Sequence, residues 1–457
     1  MSILARLFNR TDAKPRVRQL DAATGGRRGG GLGSFGPINP EIGAGAAVTR
    51  SRARYLAHNN PFLNNGVSNW AAALVGTGIR PTARSDDAGT RALAGGQFET
   101  WADDADHAGR TDFWGIQRDI ARHLVIDGEA LVIMHDTDAG LRLQVVPPEQ
   151  LDESKSGVLS DGREIVSGVE FDVQGRRVAY WILPQKPSSI YAEYAPPVRV
   201  DAADVLHVMQ PLAVGQVRGL SWLAPAVLSA SELDQLTDAL LVSAKVAAMH
   251  AGFVKDQTSM GGAGSAFPEA DGLSDISLEP GVVRVLPGGT DISFNNPEQL
   301  KDAPAFVRMN LQALAAALGL PEHLLSGDLT NANFSSLRAG LIPFRARVEQ
   351  SQYGTLTPQF LRPIWRRWLA LEVLSGRVEL SPEIGAEWIM PRPLQGLDPI
   401  KEYGAIKEAL ALGLMSRTQA INEFGWNADD MDRAIAADRA READFGLNFS
   451  AGESSNE

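Results

Sequence analysis

The sequence predicts an α+β chain, with strands and helices segregated along the polypeptide rather than alternating. Three observations carry this reading. From Glu129 to Met209, short runs alternate apolar and polar residues and are broken by Gly-containing turns, the period-two pattern of strands. Between residues 307 and 348 apolar side chains recur at 4-3-4 spacing, first Val307, Leu311, Leu314 and Leu318, then Leu337, Leu341, Phe344 and Val348, which puts each set on one face of a helix. A turn-rich stretch, 251–298, lies between two helical segments that can run side by side and hold it at their far end.

The elements follow in order. Residues 1–46 include GGRRGGGLGSFGPINPEIGAGA and show neither period, so a flexible arm is expected there; a nucleic-acid-binding arm through Arg27 and Arg28 is the alternative. From Val48 a helix runs to a break at Asn59-Asn60-Pro61. A second helix runs from about Phe62 to GTGI, with Pro just inside its start and Gly past its end. A helix from Asp112 leads through an Asp-Gly turn into a strand, and LRLQVVPPEQL, IVSGVEFDVQGRRVAYWIL and DVLHVM supply further strands. Gln174-Gly175 is the hairpin turn of the second of these. A long helix over 226–250 carries Val227, Leu233, Leu236, Leu240 and Leu241 at helical spacing. Within 251–298, DQTSMGGAGSAFPEADG reads as loop and GVVRVLPGGTDISF as strand, Pro-Gly-Gly turn, strand. The two 4-3-4 helices come next, joined by the polar loop GDLTNANFSSLRAG. Pro343 is expected to bend the second of them and Pro358 to mark a further break. The remainder, from Asp398, is helical and charged.

Bulk properties narrow the function. A length of 457 residues suggests about three domains. No apolar run reaches the ~18 residues of a membrane span; the longest candidate, 226–254, is interrupted by Glu232, Asp234, Asp238 and Lys245. The start, MSILARLFNR, is too short and too lightly apolar for a signal peptide. The absence of cysteine excludes disulfides and thiolate metal sites and fits a reducing compartment. Tight binding to nucleic acid requires Lys and Arg to neutralise phosphates, and a net charge of −12 precludes that over the whole surface.

Catalytic constellations are missing from the pattern. There is no Gly-x-x-x-x-Gly-Lys-[Ser/Thr] loop to cradle phosphates, which argues against an ATP-driven motor in this chain. His58, His107, His123, His135, His207, His250 and His323 form no pair at metal-ligand spacing. Asp103, Asp104 and Asp106 sit together but lack the spacing and closing Glu of a calcium loop, and read as a solvated turn. Asp127 and Glu129 flank a Gly that the turn needs for backbone reasons alone. In RPIWRRWLAL, Arg362, Arg366 and Arg367 with Trp365 and Trp368 suit base stacking and phosphate contact. A helix with a buried Trp face and a solvated Arg face explains the same pattern and is preferred. No enzyme, cofactor or metal site is expected; a metal-dependent nuclease using residues 103–106 is the weakest of the readings.

Five segments, in order, resemble the lambdoid tailed-phage portal proteins. LQALAAALGLPEHLLSGDLTNANFSSLRAGLIPFR is similar to that family's helix end followed by Asn-[Tyr/Phe]-Ser-Ser-x-Arg, with Phe334 where Tyr is usual. RARYLAHNNPFLNNGVSNWAAALVGTGIRP, DFWGIQRDIARHLVIDGEALV, VLHVMQPLAVGQVRGLSWLAPAV and WIMPRPLQGLDPIKEYGAIKEALALGLMS resemble four further family blocks. The resemblance implies a portal fold: an N-terminal arm to 46, a mixed α/β wing over 47–222, stem helices over 223–250 and 299–326, and a small β-containing clip over 251–298. A tunnel loop over 327–338, a long bent helix over 339–376 and a helical crown and tail over 377–457 complete it. It also implies a ring of about twelve subunits at one capsid vertex, through which DNA is packaged and ejected. The ring would dock the terminase large subunit, a head–tail adaptor, and the major capsid protein or scaffold. The chain would then reside in the virion after assembly in the host cytoplasm. Double-stranded DNA would be touched loosely and without sequence specificity, by Asn331, Asn333, Ser335 and Arg338 of the tunnel loop. Phe334 would either face DNA or anchor the loop on a neighbouring subunit. Val283, Arg284, Asp291 and Phe294 are the expected motor-docking residues of the clip. The alternative is a head-assembly or adaptor protein that binds partners without encircling DNA.

Overall fold

The computed structural model describes residues 35–184, 195–248, 253–255, 284–286, 303–330, 333–391 and 399–447. Asn60 makes the first corner, between helices α1 (Ile38–Asn59) and α2 (Pro61–Val75). Its side-chain oxygen accepts the Leu63 N–H at 2.8 Å, and its amide donates to Asp234 at 2.7 Å, so this fully buried residue caps α2 and ties it to a distant helix. Pro61 takes the first helical position, where its missing N–H costs nothing. The flexible arm expected through 46 is corrected, since α1 starts at Ile38 and buries Ile42, Ala46 and Arg50. Tertiary burial on that face outweighs the low helix propensity of Gly43 and Gly45. The part of the arm before residue 35 lies outside the described residues.

Next come β1 (Arg80–Ala83), α3 (Ala88–Asp103) and α4 (Phe113–Ile126), the two helices N-capped by Asp87 and Asp112. The sheet region follows as β2 (Glu129–Thr137), β3 (Gly140–Val146), β4 (Gly157–Val158), β5 (Glu164–Val166), β6 (Val169–Phe171), β7 (Arg177–Ile182), β8 (Val198–Asp201) and β9 (Val205–Met209). Strands β3-β2-β9 form one antiparallel sheet, and β4 to β8 form an antiparallel meander. A small second core of Leu131, Val146, Leu151, Tyr180, Ile182 and Val205 joins the two sheets.

The helical half contains α5 (Val227–Ala248), α6 (Ala303–Leu318), α7 (Glu322–Ser326) and α8 (Phe334–Ser351), with β10 (Phe253–Lys255) and β11 (Arg284–Leu286) paired in parallel between α5 and α6. The Pro-Gly-Gly hairpin expected there lies outside the described residues. The helix expected over 299–326 is two helices. Gly319, at φ +69°, ends α6, and Pro321 precedes α7, which Gly327 closes in the left-handed conformation.

Pro343 does not interrupt α8. The irregularity comes later, as a π-helical segment over Gln352–Leu361 that contains Gly354 and Pro358. There Thr357 Oγ1 donates to the Gln352 carbonyl and the Arg362 N–H to the Thr357 carbonyl, both five residues back. Side chains wedge the segment in place: Gln352 donates to the Ala73 and Leu74 carbonyls at the end of α2, and Gln359 accepts from the Met209 N–H at the end of β9.

The chain ends with α9 (Arg362–Leu374), β12 (Ala386–Ile389), α10 (Pro399–Ala411), α11 (Arg417–Glu423) and α12 (Ala428–Phe445). Trp365 and Trp368 of α9 are buried against Phe98, with ring centroids 5.5 and 4.9 Å away, while Arg367 pairs with Asp136 and Asp204. That settles RPIWRRWLAL as a core helix face. Strand β12 pairs antiparallel with β1, Arg80 opposite Ile389, so the segment 377–391 returns to the N-terminal body instead of joining the last three helices. Among the described residues, no helix is long and apolar enough to cross a membrane.

Candidate functional site

The polar connection between α7 and α8 is shorter than the sequence suggested. The tunnel loop expected over 327–338 ends at Asn333, because Asn333 and Ser336 form a reciprocal cap: the Asn333 side chain accepts the Ser336 N–H at 2.8 Å, and Ser336 Oγ accepts the Asn333 N–H at 3.1 Å. Ser335 and Arg338 therefore lie on the first turns of α8, both exposed. Arg338 has no ion-pair partner among the described residues. Asn331 and the side chain of Phe334 lie outside the described residues. So do Val283, Asp291 and Phe294; Arg284 opens β11, opposite Phe253.

Upstream, the connection is held by its own polar groups. Asp328 accepts the Thr330 N–H at 2.8 Å and pairs with Arg308 of α6 at 3.1 Å. The Thr330 hydrogen bonds, with help from Arg308, hold its carboxyl below the usual range. The start of α8 is thus a rigid, capped helix end next to a loop strapped to α6.

A second constellation is buried. Glu129, at the start of β2, is fully enclosed. Its carboxylate accepts from Arg218 at 2.6 and 3.0 Å, from His207 Nε2 of β9 at 2.9 Å, and from the Gly219 N–H at 2.6 Å. Arg50 of α1 approaches at 3.5 Å and shares Glu153 with Arg218. Alongside, Asp127 takes Arg54 at 2.7 Å and His123 at 2.5 Å, and Arg54 also grips Glu149 through two nitrogens.

Burial pushes the Glu129 pKa up, but Arg218 and then His207 outweigh it and hold the carboxyl far below its ordinary range. Burial lowers the pKa of His207 despite the Glu129 attraction, so its neutral ring donates through Nε2 while Nδ1 has no hydrogen-bond partner among the described residues. With its lone pairs committed and the backbone of Gly128 pressed on Leu220, Glu129 has no room to act on a substrate. It clamps α1, the 127–129 turn, β9 and the 216–222 loop together. The sequence reading recognised the Asp-Gly turn but missed Arg50, Arg54, His207 and Arg218. Asp127 and Glu129, which they bind, are 73 to 89 residues away, and no local period links them.

The acidic group at 103–106 borders an open cleft of about 490 Å³ lined also by His107, Thr111, Thr137 and Arg142. Asp106 is committed to its own turn, accepting the N–H groups of Ala108, Arg110 and Thr111. Among the described residues no three His, Asp or Glu side chains are grouped to hold a metal ion.

The family described as phage portal protein, lambda family, matches residues 30–352. A probable portal protein of Halomonas phage phiHAP-1 is 24% identical over 372 residues, which span 77% of this chain and 70% of that protein. Among solved structures, chains from the neck of an empty gene transfer agent particle and from the virion of a native gene transfer agent particle each superpose with a TM-score of 0.42. Their identities are 14% and 16%, and each match covers 86% of this chain and 95% of the other.

Proposed function

The chain belongs to the lambda family of phage portal proteins, structural and non-enzymatic components of the phage head, and we propose from that premise how it works. About twelve copies close into a ring at one capsid vertex, because a head-to-tail contact closes only when its rotation completes a circle. DNA passes along the axis during packaging and ejection. The ring docks the terminase large subunit, then a head–tail adaptor, and contacts capsid protein or scaffold. It is assembled in the host cytoplasm and retained in the virion.

The family match over most of the chain carries this reading. Charge is consistent with it: a −12 chain repels a duplex from its wall, and loose contact permits sliding where full phosphate neutralisation would stall it. In this reading the start of α8 faces the channel. Arg338 is its exposed cation, with Ser335 and the free amide of Asn333 as polar neighbours. Phe334 either faces DNA or anchors the loop on the next subunit, and the clip around Arg284 meets the motor.

Negative-stain images of the purified chain test the assembly: rings with an axial hole are expected, and a monodisperse monomer would leave an adaptor that never encircles DNA. For the channel contact, Arg338→Ala is expected to alter packaging rate or packaged DNA length in head-filling reactions. Unchanged packaging would remove Arg338 from the channel wall.

A further inference from the structure

Two exposed stripes flank α2. On α1, Val48, Arg52 and Tyr55 recur at 4-3 spacing on the outer face, with Val48 53% and Tyr55 66% exposed. On α8 and the first turn of the π-helical segment, Ile342, Glu349 and Tyr353 share an outer face, Ile342 and Tyr353 each being 61% exposed. The inner faces of both helices are committed: α1 buries Ala53, Leu56 and Ala57, and α8 seats Phe344 on Trp70 of α2 at 4.9 Å. Arg52 and Glu349 are exposed and have no ion-pair partner among the described residues.

Each stripe thus sets an unpaired charge between two large apolar groups, and these two charges are opposite; Arg338 lies on the α8 face one turn before Ile342, outside the stripe. The geometry points to the α1 stripe of one copy docking on the α8 stripe of the next, with Arg52 meeting Glu349 between Val48, Tyr55, Ile342 and Tyr353. Opposite charges on two different surfaces fit a head-to-tail arrangement, the kind that generates rings, and particle mass separates it from a closed dimer. The inference rests on the ring proposed above and names the surfaces that close it.

The test uses the full chain and two charge reversals, R52E and E349R, with particle mass measured by analytical ultracentrifugation. Each variant alone is expected to associate about tenfold or more weakly than the wild type. Mixed in equal amounts they recover rings, because every contact in an alternating ring again joins opposite charges. The double variant R52E/E349R forms rings unaided, which separates a broken contact from a misfolded chain. Wild-type assembly by either single variant, or no recovery in both the mixture and the double variant, overturns the assignment. A wild-type chain that stays monomeric overturns the ring itself, and this contact with it.

Discussion

Glu129 is a carboxylate sealed from solvent by four donor residues, and its removal should be felt throughout the sheet region. In Glu129→Gln the shape is kept but Arg218 loses its main counter-ion and Arg50 its second, leaving Glu153 to serve both. Breaking a buried pair from one side typically costs ~3–5 kcal/mol, so urea unfolding is expected to show that loss of stability as a lower midpoint at unchanged slope. The pH dependence follows from the same groups. Asp127 shifts in the direction of Glu129: burial raises its pKa, and the His123 and Arg54 hydrogen bonds lower it further than that. His207 is lowered by burial. All three bind protons more readily when unfolded, so their contribution is complete at neutral pH and lost on acidification. His207 withdraws support below its unfolded value of about 6.5 and the carboxylates below about 4. Thermal midpoints measured from pH 7.5 to 4 should fall steadily, and Glu129→Gln should flatten the acid end of that curve. Gly128 is the backbone counterpart. At φ +85° its Cβ would lie 2.0 Å from the Leu220 carbonyl carbon, which belongs to backbone and cannot yield. Gly128→Ala is expected to cost ~3 kcal/mol or more, read as lost soluble yield or an early urea transition. The need for this glycine was legible in the sequence as a turn requirement; the charges around it were not, since they meet only after the sheet has folded.

At the scale of elements, α8 shows both what a pattern reveals and where it stops. The 4-3-4 stripe located the helix and its inner face, and Leu341, Phe344 and Val348 are buried as that spacing requires. Its start was placed too late because the cap is Asn-x-x-Ser, outside the usual Ser/Thr-x-x-Glu form, and because a run of Asn and Ser favours loop as readily as cap. Pro343 is expected to bend α8, which runs unbroken through it, and Pro358, expected to mark a break, sits in π geometry that Gln352 and Gln359 tie to α2 and β9. Local propensity cannot anticipate those long-range bonds. The cap is testable by itself. Asn333→Ala should cost about 1 kcal/mol at the helix end, appearing as roughly fivefold faster hydrogen exchange at the Ser336 and Leu337 amides. Asn333→Ser, which can still cap, should restore protection; equal exchange in all three proteins would show that the cap does not hold the helix end.

At the scale of the whole molecule, the chain closes on itself through β12, which the sequence reading merged into a helical C-terminal region. Four residues with one buried side chain carry too little pattern to declare a strand whose partner, β1, lies some three hundred residues earlier. The return is strongly anchored. Ile389 and Val378 are buried, the Trp365 indole donates to the Ile384 carbonyl at 2.7 Å, and Pro391 closes over Gly76. The last three helices are attached differently, by the exposed side of the body: Asn427 donates to Thr82, and Arg91 forks onto Asp429 at 2.5 and 2.9 Å. Only Ala420 among their described residues is buried. Two truncations should therefore behave differently. A chain ending at 398 loses partly exposed ion pairs worth ~0–1 kcal/mol each and should unfold within a few degrees of the full chain. A chain ending at 376 loses two buried aliphatic side chains at ~1.5–3 kcal/mol each, strands an indole N–H in the core, and leaves β1 as an open edge. Its thermal midpoint should drop by about 10 °C or more, with aggregation through the bared strand. Matching midpoints for the two truncations would mean that the β1–β12 return does not hold the body together, and that the N-terminal core stands without the segment crossing back to it.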